Sequence, residues 1–318
     1  MKHLLTIADL ERSDIERILS TADSFSEVAG RDIKKVPTLR GRTVVNLFYE
    51  SSTRTSSSFE LAAKRLSADL ISIRSTGSAV DKGESLRDTV ATLSAYDPAA
   101  IVIRAPWVGA ADIVARSCTA SVVNAGDGKH EHPSQALLDV FTLRRRLGLE
   151  SLDGLNVWIV GDVLHSRVAR SNVLAFTRMG ARVTVCGPPT LIPREVETLG
   201  CDVSYDLDRL GEADVVYALR MQNERMDDAF VPSLREYVAC YQINSRRLQP
   251  RQVLMHPGPV NRGVELSADV MESPQALIVD QVASGLVVRM AILYDLLSAR
   301  DQSGERGGTP EPTVGQPA

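Results

Sequence analysis

Phe48-Tyr49-Glu50-Ser51-Ser52-Thr53-Arg54-Thr55 joins an apolar, β-branched run, Thr43 to Phe48, to a segment whose apolar residues Phe59, Ala62, Ala63 and Leu66 recur at helical spacing. The run reads as a buried strand and the segment as an amphipathic helix, so the turn Ser52 to Thr55 is predicted to lie at a helix N-terminus. The orphan backbone N–H groups and the positive end of the dipole favour an anion there, and the hydroxyls and guanidinium add donors. Read alone, such a turn is more often an N-cap cluster beside a solvated arginine. Its neighbours along the chain decide the matter.

Outward from this turn the same strand-and-helix alternation continues twice over. Thr43 to Phe48, Leu70 to Ile73, Ala100 to Ile103 and Ser121 to Asn124 form one series of apolar runs. Val157 to Val160, Val183 to Cys186, Val215 to Leu219 and Val253 to Met255 form a second. The fold class is therefore α/β, two doubly wound parallel-sheet domains with helices on both faces. Gln135 to Leu147, closed by Gly148, reads as a bridging helix, and Gln281 to Leu297 as a long apolar one. Ligands of such sheets bind beyond the carboxyl ends of strands. Ser52, Arg104, His132, Asp162, Arg220 and His256 all fall there, so one cleft between the domains can collect them.

Composition narrows the function classes. With 318 residues, 44% hydrophobic and 24% charged, the chain can bury ample core, and its length suits two domains. A net charge of −4 gives no reason to expect nucleic acid or a membrane surface as partner. Met1-Lys2-His3-Leu4-Leu5 lacks a signal-peptide core, which makes a cytoplasmic location the expectation. Cys118, Cys186, Cys201 and Cys240 are widely spaced, so neither a zinc site nor a disulfide framework is indicated. The chain after Arg300, rich in glycine and proline, is expected to be disordered.

The octapeptide resembles the carbamoyl-phosphate signature of the aspartate and ornithine carbamoyltransferases, and further stretches match that family in the same order over about residues 1 to 300. They are Ser78 with Lys82-Gly83-Glu84-Ser85-Leu86, Arg104, Asn124 to Gly128 with His132 to Asp139, Gly161-Asp162 with His165 to Asn172, Arg220-Met221-Gln222 with Glu224-Arg225, and His256-Pro257-Gly258-Pro259. The resemblance implies that residues 1–134, with a returning helix 282–300, bind carbamoyl phosphate. Residues 135–281 would bind the amine, and 301–318 would form the disordered tail.

The same resemblance supplies roles. Ser52, Thr53, Arg54, Thr55 and Ser78 would hold the phosphate, and Thr55, Arg104 and His132 would donate to the carbamoyl oxygen. Gln135 and the carbonyls near Pro257 and Gly258 would grip the carbamoyl nitrogen. Arg167 would take the amine's α-carboxylate, Arg220 and Gln222 its side-chain carboxylate, with Lys82 adding a charge. The donor inventory of each residue suits its task. A dicarboxylic amine is indicated, because ornithine enzymes carry a His-Cys-Leu-Pro stretch where His256 to Pro259 stand, and usually lysine in place of Glu50.

The implied reaction gives N-carbamoyl-L-aspartate and phosphate, early in pyrimidine synthesis, with no metal and no cofactor. The implied assembly is a homotrimer in which Ser78 and Lys82 reach a neighbour's site, with a larger assembly with dihydroorotase or regulatory chains left open. Ser56 and Ala105 stand where the family usually has arginine and histidine, and are read as weakening the positive field beside the phosphate. A carbamoyltransferase for another carboxylated amine, and an inactive chain kept for assembly, stay open on this point. His165 is read as a capping or solvent-facing residue, His130 as an ordinary loop residue, and Arg225 as the partner of Glu50.

Overall fold

The computed structural model describes residues 1–74, 83–222 and 230–302. Ser78, Lys82, Glu224, Arg225 and the tail beyond 302 lie outside the described residues.

Two parallel sheets form the body. The first holds β1 (Thr43–Phe48), β2 (Asp69–Arg74), β3 (Ala100–Ala105) and β4 (Ser121–Asp127) in the order β2-β1-β3-β4. The second holds β5 (Asn156–Val160), β6 (Arg182–Cys186), β7 (Asp202–Ser204), β8 (Val215–Ala218) and β9 (Val253–Met255) in the order β7-β6-β5-β8-β9. Each order reverses once, between β1 and β3 and between β5 and β8, which opens a crevice at the carboxyl edge of each sheet. The edge strand β7, three residues long and polar at both ends, is too short for periodicity to reveal.

The period-two alternation of β1 and β3 sends their side chains to opposite faces. Val45, Leu47, Ile101, Ile103 and Ala105 pack under α3 (Leu86–Ser94) and α4 (Ala110–Ser117). Val44, Phe48, Ala100 and Val102 face the opposite way, into a core that also holds residues of α1 (Arg12–Ala29), α2 (Thr53–Arg65) and α9 (Ile278–Gln302). That core runs on through α5 (Pro133–Leu147) and α6 (Arg167–Arg178) to Ile159, Val185 and Tyr217 of the second sheet, so one apolar mass joins the two sheets. The other face of the second sheet is covered by Ile243, Leu248 and Val270, the last on α8 (Ala268–Met271). Ser233 caps the remaining helix, α7 (Leu234–Tyr241), through the N–H of Glu236.

Helix α9 returns from the second sheet to pack on α1, α2 and α5. Ile278–Ser298 is long and apolar enough to cross a membrane by length and composition, but the apolar mass of the fold already buries Val288, Ala291, Ile292, Leu293 and Leu296.

Ala105 is fully buried on the α3/α4 face, and neither it nor Ser56 reaches the wall of the cleft described below. The expected place of Ala105 beside the phosphate therefore needs correction: Arg104 and Ala105 are adjacent in one strand and project to opposite faces. Ala105→His should force an imidazole among Val45, Leu47 and Ile103 and cost about 2 to 4 kcal/mol through overpacking and an unpaired polar group. Thermal melting would show the loss, while turnover well below the melting temperature is retained. A variant that melts like the parent would refute this burial.

Candidate active site

A cavity of about 670 Å³ lies where the carboxyl edges of the two sheets meet. Its wall includes every described residue given a substrate contact from sequence: Ser52, Thr53, Arg54, Thr55, Arg104, His132 and Gln135 from the side of the first sheet, Arg167, Arg220, Gln222, Pro257 and Gly258 from the other; Asp162, also expected in the cleft, is buried and does not line it. Ser78 and Lys82 are the candidates outside the described residues.

The first wall is a helix N-terminus. Ser52 is the N-cap of α2 in extended conformation, and its hydroxyl makes no capping bond, so the first-turn N–H groups and the hydroxyl remain available to an anion. Arg54 follows inside the first turn, with no carboxylate partner among the described residues. Its guanidinium lies over Gly258, where an added Cβ would come within 2.9 Å of the Arg54 Cζ. Gly126 makes similar room for Arg167, with the built Cβ 3.0 Å from Cζ. Both glycines have left-handed backbone, at φ 63° and 118°, which disfavours any side chain.

Arg104 and Arg167 converge on Glu50: Arg104 Nε lies 3.3 Å from its carboxylate and Arg167 Nη2 donates to the same oxygen. Arg104 also donates to the Ala125 carbonyl at 3.3 Å and Arg167 to the Gly128 carbonyl at 3.2 Å. The expected Glu50 partner, Arg225, is outside the described residues, so in this arrangement Glu50 serves the two arginines of the cleft.

His132 is the N-cap of α5, followed by proline at the first helical position, where the missing N–H costs nothing. Its backbone N–H donates to Ser171 Oγ at 2.8 Å, and that hydroxyl donates to Glu131 Oε2 at 3.0 Å. Burial, then the charges of Arg104, Arg167 and Arg289, hold its imidazole well below the ordinary histidine range, so it is neutral at pH 7. Ser134 Oγ sits 3.5 Å from Nδ1, the side from which a donated proton would leave Nε2–H as the donor.

Behind the second wall, Asp162 organises the ends of β5 and β8. Its Oδ2 accepts from the Gln222 N–H at 3.2 Å, and its Oδ1 accepts from the His165 N–H at 3.1 Å and faces His165 Nδ1 at 2.9 Å. His165 is buried with its ring edge-on to Phe230, so it is no solvent-facing residue, and Ser166 is the one that caps α6. His130 lies beside Asp127, whose carboxylate raises its pKa. In the His256-Pro257-Gly258-Pro259 stretch, His256 Nδ1 accepts from the Gly258 N–H at 2.8 Å, tying the loop onto itself.

Among the cavity residues that escaped the sequence reading, one is charged. Arg289 projects from α9 and is buried. It donates to Ser58 Oγ at 2.6 Å and covers the Phe59 ring, and among the described residues no carboxylate pairs with it. Burial pulls its pKa down to about 10, so it remains charged at pH 7. The signal was present as a lone arginine inside an apolar helix.

Comparison with known proteins places these elements in a family. Residues 2–145 match the aspartate/ornithine carbamoyltransferase carbamoyl-P binding domain, and residues 153–296 match the Asp/Orn binding domain. The aspartate carbamoyltransferase catalytic subunit of Salinispora arenicola is 54% identical over 309 residues, covering 95% of this chain and 100% of that one. Aspartate transcarbamoylase from Trypanosoma cruzi, solved with carbamoyl phosphate and aspartate, superposes with a TM-score of 0.83 at 30% identity, over 93% of this chain and 97% of that one. The catalytic subunit of M. jannaschii aspartate transcarbamoylase also gives 0.83, at 35% identity, over 96% and 100%.

Gly258→Ala should push the Arg54 guanidinium off its seat and weaken binding of inorganic phosphate by about ten- to hundredfold, the worth of a charge-assisted hydrogen bond. Gly263→Ala shares the positive φ, 83°, but meets nothing within 4 Å, so it controls for backbone strain. Titration calorimetry of both variants makes the comparison, and equal weakening would refute the seat.

Proposed function

The chain belongs to the aspartate/ornithine carbamoyltransferase family, and from that premise we propose how its cleft runs the reaction. It transfers the carbamoyl group of carbamoyl phosphate to the α-amine of L-aspartate, giving N-carbamoyl-L-aspartate and phosphate, an early step of pyrimidine synthesis. The observation that carries this reading is one cavity lined by both an anion-binding helix start and two donor sets, Arg167 and Arg220 with Gln222, whose donors suit two carboxylates.

In this reading the α2 N-terminus with Ser52, Thr53, Arg54 and Thr55 takes the phosphate. Thr55, Arg104 and neutral His132 donate to the carbonyl oxygen, polarising the carbon and then stabilising the tetrahedral oxyanion. One such donor is worth roughly 3 to 4 kcal/mol, or two to three decades of rate. Gln135 and the loop carbonyls at Pro257 and Gly258 accept from the carbamoyl N–H groups. The deprotonated amine of aspartate forms the new C–N bond, the C–O bond to phosphate breaks, and the departing phosphate takes the amine's proton. The lowered pKa suits this division of labour, since it makes the His132 imidazole a weak base that can donate from one nitrogen while the phosphate takes the proton. Holding two small substrates amine to carbon contributes much of the remaining acceleration.

The domain division follows from the same reading: residues 1–134 with the returning helix 282–300 serve carbamoyl phosphate, and 135–281 serve aspartate. The working assembly is a cytoplasmic homotrimer in which Ser78 and Lys82 complete a neighbour's cleft, every interface of the closed ring being heterologous.

Purified protein should carbamoylate L-aspartate without added metal, and a radiolabel-transfer assay that instead finds preference for ornithine would overturn the substrate reading. Arg54→Ala should lower turnover by about two to four decades, comparable to losing an oxyanion donor, with the melting temperature held. Shared sites add a third expectation. Arg54→Ala and Lys82→Ala proteins, each nearly inactive, should regain activity when unfolded and refolded together, because some mixed interfaces unite the two native residues. Mixed trimers identified by mass and still inactive would eliminate the shared site.

A further inference from the structure

Asp139 lies behind the cavity wall, fully buried where α5, α6, β8 and α9 meet. Four donors converge on its carboxylate. Gln135 Nε2 and Gln281 Nε2 donate to Oδ1 at 3.0 and 2.7 Å, and Asn172 Nδ2 and Tyr217 Oη to Oδ2 at 2.9 and 2.7 Å. A carboxylate only accepts, so each amide must turn its NH2 toward Asp139 and its carbonyl away. For Gln281 the carbonyl then accepts from the His256 N–H at 3.0 Å, which anchors the start of the Pro257-Gly258 loop. For Gln135, which lines the cavity, the same polarity leaves Oε1 as the open side of the amide.

We propose that Asp139 is a positioning residue that makes the cleft selective for a carbamoyl over an isosteric acetyl group, by fixing Gln135 with its acceptor oxygen toward the ligand and, through Gln281, holding the loop whose carbonyls face the same nitrogen. This deepens the reading of the cleft as a carbamoyl-phosphate site and rests on it. A glutamine amide left to itself presents NH2 or oxygen with little preference, and an NH2 turned inward would meet the carbamoyl NH2 donor to donor. With Oε1 turned inward, a carbamoyl nitrogen is satisfied, whereas the methyl of an acetyl group leaves the acceptor unpaired, the kind of mismatch that polar sites reject most strongly.

Burial drives the Asp139 pKa up to about 6 and the four hydrogen bonds oppose that rise, so the group is mainly ionised, hence a full acceptor, at pH 7.5. The other titratable or charged groups facing it are Tyr217 from β8, held neutral by burial, and Arg289 from α9, while α6 presents the neutral Asn172. The shift is raised above the ordinary carboxyl value. Its contribution to stability is thus fully present below that value and is lost as pH rises through about 6. The ion is retained at a cost to the fold, as expected of a group kept for the site it organises.

The test compares carbamoyl phosphate as substrate with acetyl phosphate as competitive inhibitor, at saturating aspartate and pH 7.5. Asp139→Ala should raise the KM for carbamoyl phosphate about tenfold while the inhibition constant of acetyl phosphate changes less than about twofold, the discrimination of one hydrogen-bonded group. Asp139→Asn can keep its carbonyl oxygen toward Gln135 and Gln281, with its NH2 on the side where the Tyr217 hydroxyl can rotate and the Asn172 amide can flip to accept, so it should retain most of the preference. Tyr217→Phe leaves both donors to Oδ1 in place, so it should lower the melting temperature more than it alters the ratio. A merely structural Asp139 would weaken both phosphates together, and that result overturns the proposal, as does an unchanged ratio in Asp139→Ala. Should that variant fail to fold, neutron diffraction on deuterated crystals of the unaltered enzyme decides: deuterons on the Gln135 atom nearest Asp139 support the assignment, and deuterons on the cavity side end it. Wild-type enzyme that forms no carbamoyl-aspartate would instead sink the reading of the cleft, a distinct outcome.

Discussion

Repulsion among five guanidiniums around one cavity is the constraint on which the rest of this structure depends. Arg54, Arg104, Arg167, Arg220 and Arg289 all line the cleft, and among its described residues Glu50 is the one carboxylate. Concentrating that much positive charge is unfavourable for an empty protein and favourable for one holding a phosphate dianion and two carboxylates. Ligand binding therefore relieves a cost already built into the fold, and anions that fit should stabilise it by mass action. Glu50 moderates the empty state by holding Arg104 and Arg167 together. Backbone geometry does the remainder: Gly126 and Gly258 clear space for two guanidiniums where any side chain would collide.

The means of concentrating this charge is topological, and for that reason it was legible in the sequence. Every candidate motif follows a β-branched apolar run, and parallel sheets with helical crossovers bring the carboxyl ends of such runs to one edge. Ser52, Arg104, His132, Asp162, Arg220 and His256 could be placed from that rule alone, and the chain joins their strands into the two sheets expected. The reading failed where position depends on which face a side chain takes or on packing between distant elements. Ala105 follows Arg104 by one residue and so points into the opposite core. Arg289 reaches the cleft because α9 returns across α2 and α5, which no local pattern announces. His165 is buried by Phe230, sixty-five positions on, a contact that a helix-start signature cannot encode.

The cleft also depends on neutral groups whose polarity is set from behind. His132, kept uncharged by burial and neighbouring cations, can donate through one ring nitrogen without adding another positive charge to the cleft, and its backbone is fixed by Ser171, itself held by Glu131. Gln222 takes its place from Asp162, and Gln135 from Asp139. In each case a buried carboxylate outside the cavity wall orients a neutral or backbone group within it, so the negative charges of the fold are spent on alignment and kept away from the anionic ligands.

That division explains why α5 carries both a ligand-facing and a buried polar residue one turn apart. Gln135 and Asp139 are four positions apart and share a helix face, so a single rigid element sets their separation without help from a loop. The partners of Asp139 come from both sides of the molecule, Gln281 on the helix that returns to the first sheet, Tyr217 and Asn172 on the second. A shift of either sheet relative to α5 would break hydrogen bonds to a buried ion, which is costlier than loosening apolar contacts of similar area. The alignment of Gln135 in the cavity wall and the docking of the two sheets are thus one interaction, and a protein that loosened the second could not keep the first.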